Sequence, residues 1–209
     1  MRRLFVTLVL NTILSGSVFC QFDFKSDKDF KYYDSKISRK LESRAFDEKS
    51  NIFELRFWMY KLGTDKEFLL RLKYTTDSIW IAEKYYRRRI FFYRTYKYDI
   101  TLSNNWQQTW DSLVNFKILE MPSIDTILKQ KRKEFFKKDT LKHKEFMTVD
   151  FGDSYSIELL TSKNKRSYWY SNPEEYAKFY KDEKGLQMLV KALKILYREF
   201  NYKDYGIIR

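Results

Sequence analysis

Cysteine and histidine are almost absent from this chain. Cys20 and His143 are the only ones among 209 residues. A disulfide, a thiolate zinc site and a multi-histidine metal site therefore lack the residues they need. His143 lies among lysines, and no motif around it supplies the orienting partner that a catalytic base requires. We interpret it as a solvated surface residue and predict no catalytic residue and no metal ligand from these two residue types.

Glycine and proline are also scarce, with five and two residues respectively. Flexible multi-domain arrays and repeats with glycine-marked corners use many more of them. Neither a phosphate-cradling glycine loop nor an acidic calcium-binding loop occurs in the chain. After residue 20 no apolar run approaches the roughly twenty residues that a membrane-spanning helix needs. We therefore expect a single domain held together by packing, without a cofactor.

The first twenty residues carry the three-part pattern of a secretory signal peptide. A basic pair at residues 2 and 3 precedes an apolar run over residues 4–14, and a short exit ends at Cys20. Cleavage before Gln21 would release the chain to the periplasm or outside the cell. A lipoprotein anchored at Cys20 is the alternative, and the bulky Phe19 argues against it.

Residues 21–50 form a polar N-terminal segment. Phe30, Tyr33, Ile37 and Leu41 recur there at helical spacing, so the segment is predicted to be partly helical and to dock on the rest of the chain. Everything from residue 51 to residue 209 is predicted to be one α+β domain.

A four-stranded antiparallel meander is predicted at the start of that domain. Apolar residues alternate with polar ones over residues 52–60 and again over residues 68–74. Residues 79–98 are rich in β-branched and aromatic residues, which predicts two further strands joined by a short connection.

Helical spacing replaces this alternation in the middle of the chain. It predicts a helix behind a cap at Ser103 or Asn104, and a second helix over about residues 124–136 capped by Ser123. Asn172, Pro173 and Glu175 predict the capped start of a third helix.

A second meander and a final helix complete the predicted fold. Strand patterns return at residues 146–151, 155–160 and 167–170, and an apolar stripe over residues 186–200 is typical of a helix on a sheet. The predicted class is α+β: an antiparallel sheet of two meanders, with an inserted helical segment and C-terminal helices packed on one face.

Excess positive charge is confined to two segments. Residues 84–97 contain six basic residues and no acid, and residues 129–144 contain eight basic residues and two acids. The second segment is interpreted as a solvated helix face and loop. In the first, bases alternate with aromatic rings, as in surfaces that hold and stack on a polyanion. The candidate binding residues are Tyr86, Arg87, Arg88, Arg89, Tyr93 and Arg94.

Simple sheet alternation offers a second explanation for the same residues, with rings filling one face and arginines solvating the other. On balance the sequence favours an exported, non-enzymatic binding or accessory protein that contacts an anionic polymer or lipid head group. Two alternatives stay open. A hydrolase could use the carboxylates of Asp150, Asp153 and Glu158, although aspartates are also ordinary turn residues. The second alternative is a structural module that binds a protein partner.

Export predicts a defined mature N-terminus. Mass spectrometry of the protein recovered from cells that express the full chain should find it beginning at Gln21, free or cyclised, because the apolar run and the short exit mark the cleavage position. A mature chain that begins at a lipid-modified Cys20 would contradict this prediction and favour the anchored alternative. Retention of residues 1–20 would contradict export itself.

Overall fold

The computed structural model describes residues 22–35, 37–40, 45–61, 66–89, 93–99, 105–138 and 153–200. Within these ranges six strands form: β1 (Asn51–Lys61), β2 (Glu67–Thr75), β3 (Trp80–Arg89), β4 (Tyr93–Asp99), β5 (Asp153–Thr161) and β6 (Lys165–Ser171). Four α-helices accompany them: α1 (Trp106–Asn115), α2 (Ile124–Lys138), α3 (Pro173–Phe179) and α4 (Lys184–Phe200).

The strands form one antiparallel sheet in the order β4-β3-β2-β1-β5-β6. β1 to β4 are a meander in chain order, and the β5–β6 hairpin is added on the other side of β1. The helical pair α1–α2 separates the two groups of strands in sequence. The predicted α+β class and the meander arrangement are therefore confirmed, whereas the strand predicted at residues 146–151 lies outside the described residues.

Alternate residues of the strands build an apolar face that the helices cover. Phe53, Leu55 and Phe57 of β1 are fully buried on this face. The register pairs Phe57 with Leu70 on one side and with Ile157 on the other. Because side chains alternate between the two faces of a strand, this register gathers the apolar residues of neighbouring strands into one layer.

Helix α4 lies on this layer through the predicted stripe. Leu186, Leu189, Leu193 and Leu196 are buried, whereas Lys194 is exposed on the opposite side of the helix. The ring of Tyr197 packs edge-on against rings of β1 and β5. No helix in the described part of the chain combines the length and the apolarity that crossing a membrane requires.

The three predicted helices are present, and α3 begins at Pro173 as predicted. Their caps differ from the predictions in two of the three cases. The Asn105 side chain accepts a hydrogen bond from the Gln108 N–H and caps α1, one residue beyond the predicted position. Ser123 caps α2 as predicted, since its hydroxyl accepts from the Thr126 N–H at 3.3 Å.

The capping arrangement predicted at Asn172 is wrong. Asn172 has the left-handed backbone conformation, with φ of 50°, and its side chain makes no capping hydrogen bond. Glu175 forms an ion pair with Lys178 instead of reaching back to the cap. Asparagine tolerates this left-handed conformation better than most residues do, so the residue fits the sharp turn out of β6 rather than the cap.

The N-terminal segment wraps around the edge of the sheet at β6. Phe22 stacks on Phe53 on the helix side, with 4.6 Å between ring centroids. At the edge, the Asp27 N–H donates to the Lys165 carbonyl at 2.9 Å, and the Ser167 N–H donates to the Asp27 carboxylate at 2.7 Å. The residues that follow cross the other face of the sheet.

The helix predicted from the spacing of Phe30, Tyr33, Ile37 and Leu41 is therefore wrong. Residues 30–35 are not helical, and one turn of 3-10 helix at Ser38–Lys40 is the helical part of the described segment. Leu41 lies outside the described residues. The apolar spacing reflects separate contacts with the sheet rather than one helical stripe, since Ile37 and Tyr33 each pack against sheet side chains.

The orientation of α4 makes a sharp prediction. Leu193→Ala should lower the free energy of unfolding by about 2 to 5 kcal/mol, because it leaves a cavity at a fully buried site. Lys194→Ala, next to it and exposed, should change it by less than about 0.5 kcal/mol. Urea unfolding of the two variants measures both values. Similar losses in both variants would contradict the orientation described.

Candidate functional site

Two of the six predicted binding residues have described side chains, and both are buried. Tyr86 is 7% exposed and stacks on Phe68 in the apolar core, with 4.8 Å between ring centroids. Arg87 is 6% exposed on the opposite face, where the register places it beside Glu67. In this conformation Tyr86 packs in the core rather than offering a stacking platform.

For the other four residues, the structure describes the pairing of the strands on which they lie. Arg88 is the direct partner of Arg94 across the β3–β4 pair, and Arg89 is the direct partner of Tyr93. β4 is an edge strand of the sheet. Because successive positions of a strand alternate between its faces, the register assigns Tyr86, Arg88 and Arg94 to one face of the hairpin. Arg87, Arg89 and Tyr93 belong to the other face.

The carboxylates considered for hydrolysis are not brought together where they are described. Asp153 and Glu158 are five positions apart on β5, so they belong to opposite faces of the sheet. Glu158 is fully buried. Asp150 lies outside the described residues.

The sheet face turned away from the helices carries a group of charged residues, which we call the ionic face. Its members come from four adjacent strands, contain as many acids as bases, and are largely shielded from solvent. They are Glu54, Arg56, Glu67, Arg71, Lys73, Glu83, Arg87 and Glu158. The arginines of residues 84–97 were expected to solvate one face of the sheet, and that expectation is wrong for Arg87, which is buried. The N-terminal segment covers it.

Ion pairs run continuously across the ionic face. Glu54 accepts from Arg56 Nε at 2.6 Å and also binds Arg71, whose Nη2 is 3.2 Å from Glu54 Oε2. Arg56 Nη1 lies 3.6 Å from Glu158 Oε2, and Arg71 Nη1 lies 3.6 Å from Glu83 Oε2. The chain of contacts links β5, β1, β2 and β3, so each of these charges has an opposite charge beside it.

The cover of this face is the strap, defined as residues 31–35, 37–40, 45 and 46. Its backbone meets the charges directly: the Tyr33 N–H donates to Glu158 Oε1, and the Ile37 N–H donates to Glu67 Oε2 at 3.1 Å. Near its end, Arg56 donates to the Ala45 carbonyl at 3.5 Å. Peptide groups of the strap thus supply hydrogen bonds to several of the buried charges, although Glu158 Oε2 has no hydrogen-bond partner.

Burial and pairing shift the ionisation of this face in opposite directions. Burial raises the pKa of the Glu158 carboxyl, against the lowering effects of the Tyr33 N–H and the Arg56 guanidinium. For Arg71 burial acts to lower the pKa, but the hydrogen bonds and charges of Glu54 and Glu83 outweigh it and raise the value. The guanidinium therefore stays charged. Burial also raises the pKa of Tyr33 to about 12.

A separate, partly buried carboxylate lies on the helix side of the sheet. Glu174, in the first turn of α3, accepts hydrogen bonds from the hydroxyls of Tyr155 and Tyr197 at 3.1 and 3.0 Å. Burial raises the pKa of Glu174, assisted by the charge of Asp153 and opposed by the tyrosine hydroxyls. These bonds tie α3 and α4 to β5.

A cavity of about 480 Å³ lies at the end of the sheet where β1 begins. Its walls mix polar and apolar groups, from Phe22, Asp23, Glu48, Asn51, Ile52, Thr76, Thr161, Ser162, Lys163 and Asn164. Much of the polar wall is already engaged: the Thr161 hydroxyl and the Asn51 amide both bond to nearby backbone. Within the described ranges, no three His, Cys, Asp or Glu side chains are grouped so as to hold a metal ion.

The ionic face is not among the sequence predictions, although a signal for it exists. On β1 the polar positions read Glu54 then Arg56, and on β2 they read Arg71 then Lys73. On these two adjacent strands, acids and bases occupy the positions of one face and alternate with apolar residues. This pattern indicates that the charges pair with one another across the sheet and also contact water. The strap that buries them has no comparable local signal.

The ion-pair chain predicts a large penalty for removing one member. Arg56→Met should lower the free energy of unfolding by about 3 to 5 kcal/mol, because it leaves Glu54 and Glu158 with less compensation in a buried site. Arg39→Met, which removes an exposed pair with Asp34 on the strap, should change it by at most about 1 kcal/mol. Urea unfolding at neutral pH compares them. Equal values would mean that the ionic face is effectively solvated.

Comparison with known proteins assigns neither a family nor an activity to this arrangement. No protein-family model matches the chain, and no curated protein is significantly similar to it. The functional argument therefore rests on the residues and geometry described above.

Proposed function

We propose that this protein is an exported, non-catalytic binding or accessory protein whose β3–β4 hairpin contacts an anionic partner. The observation that carries the proposal is the register that sets Arg88 directly opposite Arg94. Like charges at directly opposed positions destabilise an antiparallel pair. An anion bound beside the two guanidinium groups would offset this repulsion, and arginine is well suited to phosphate, sulfate and carboxylate groups.

The position and composition of the hairpin support the same reading. β4 is the edge strand, so a partner can approach this hairpin without opening the sheet. Residues 84–97 include six basic residues and no acid. Cleavage would remove Arg2 and Arg3 and lower the formal charge from +13 to +11, which would still accelerate association with anionic surfaces.

The anticipated partner follows from the export signal at residues 1–20. An exported basic protein encounters acidic polysaccharides and the head groups of anionic lipids, both of which present repeated negative charges. The hydrolase and the protein-interaction module remain the alternatives. The described carboxylates Asp153 and Glu158 lie on opposite faces of β5 and so lend the hydrolase no specific support.

Replacing Arg88, Arg89 and Arg94 together by Gln tests the proposal. Binding of the mature protein to heparin, and to vesicles that contain an anionic phospholipid, is measured over a series of salt concentrations. The wild type should bind at least one probe with an affinity that falls steeply as salt rises, because phosphate or sulfate contacts release counterions. The triple variant should bind at least roughly tenfold more weakly and with a shallower salt dependence.

The matched control removes the same charge elsewhere. Lys129, Lys133 and Lys194 are exposed on α2 and α4, and their replacement by Gln should leave most of the binding intact. Equal losses in the two triple variants would mean that net charge alone causes binding, and the hairpin would have no special role. A wild type that binds neither probe would favour the protein-interaction alternative.

A further inference from the structure

The strap is held largely through its backbone. The Tyr33 and Ile37 amides donate to buried carboxylates, and the Ala45 carbonyl accepts from Arg56. Every peptide carries these groups, so this part of the recognition does not depend on the side chains of the strap. The charged side chains could therefore form the same hydrogen bonds with another peptide that follows the path of the strap.

Two strap side chains supply the selective contacts. Ile37 is fully buried in a small apolar cluster with Trp58, Leu69 and Tyr85. The Tyr33 ring lies 5.4 Å from the Trp58 ring and 5.5 Å from the Trp169 ring, measured between centroids. The surface therefore accepts an aromatic residue and, four positions later, an aliphatic one.

The chemistry of the ionic face suits a cover that can leave. A permanent cover is usually held by apolar packing, since buried ion pairs add little stability compared with apolar groups of similar size. An uncovered apolar face would promote aggregation. An uncovered ionic face would expose the small apolar cluster of Trp58, Leu69 and Tyr85, but its acids and bases would become hydrated and remain paired with one another.

We infer that the ionic face is a peptide-binding surface that the strap occupies within the same chain. Its partner is an extended peptide with an aromatic residue followed four positions later by an aliphatic residue. Equal numbers of acids and bases make the face unattractive to a polyanion, so its partner differs from the anionic partner proposed for the β3–β4 hairpin, although Glu83 and Arg87 of β3 belong to this face. The two proposals can fail independently.

Competition from the strap determines how the inference is tested. A segment tethered to its site has an effective concentration in the millimolar range. The wild-type chain should therefore bind an added peptide only weakly. A change that weakens the strap and leaves the sheet intact should raise the affinity for that peptide.

The experiment uses the full mature chain and a fluorescent peptide that copies residues 29–40. Fluorescence anisotropy should show that the Ile37→Ala protein binds the peptide at least roughly tenfold more tightly than the wild-type protein does. A peptide with the same Ile37→Ala change should bind that protein at least roughly tenfold more weakly, because it cannot fill the apolar cluster. Arg39→Ala, an exposed change in the strap, is the matched control and should bind like wild type.

Hydrogen exchange shows whether a variant loosens the strap alone or the sheet as well. In the Ile37→Ala protein the strap amides should exchange faster while β1 and β2 stay protected. A second variant, Tyr33→Ala, loosens the strap and keeps the backbone donor. If either variant has a loosened strap and a protected sheet but shows no gain in peptide affinity, the inference is overturned. If both variants lose protection throughout the sheet, the strap is an inseparable part of the fold, and the inference is likewise overturned.

Discussion

Glu54 on the central strand β1 is the point on which one whole side of this protein depends. It holds two arginines at once, and through them the charges of β5 and β3 are linked into a single buried chain. Desolvated charges are tolerated only when each has partners. This requirement accounts for the equal numbers of acids and bases on the face, and for the strap amides that bond to Glu158 and Glu67.

The two faces of the sheet consequently have different chemistry and different covers. Helices cover the apolar face, and an extended segment with its own peptide groups covers the charged one. A one-residue slip of β1 against its neighbours would exchange the two faces and bury charges under the helices. The register of the central strands is therefore strongly determined.

Strands and the last helix could be predicted because their signals are local. The alternation around Phe57 and the stripe around Leu193 repeat over enough positions to define a period. The path of the N-terminal segment could not be predicted, because Tyr33 and Ile37 contact strands that are distant in sequence. Their spacing also resembles that of a helix. Asn172 shows the same limit at smaller scale: a capping residue and a left-handed turn residue are alike in sequence. The buried state of Arg56 and Glu158 likewise depends on a remote segment.

The bond between Asp27 and Ser167 joins residues 140 positions apart. Contacts of such separation form late, because the intervening loop must first be closed at an entropic cost. Synthesis proceeds from the N-terminus, so the strap is made long before β6. The strap is therefore synthesised before β6 but packs after it. Until it packs, the charges of the ionic face remain in contact with water.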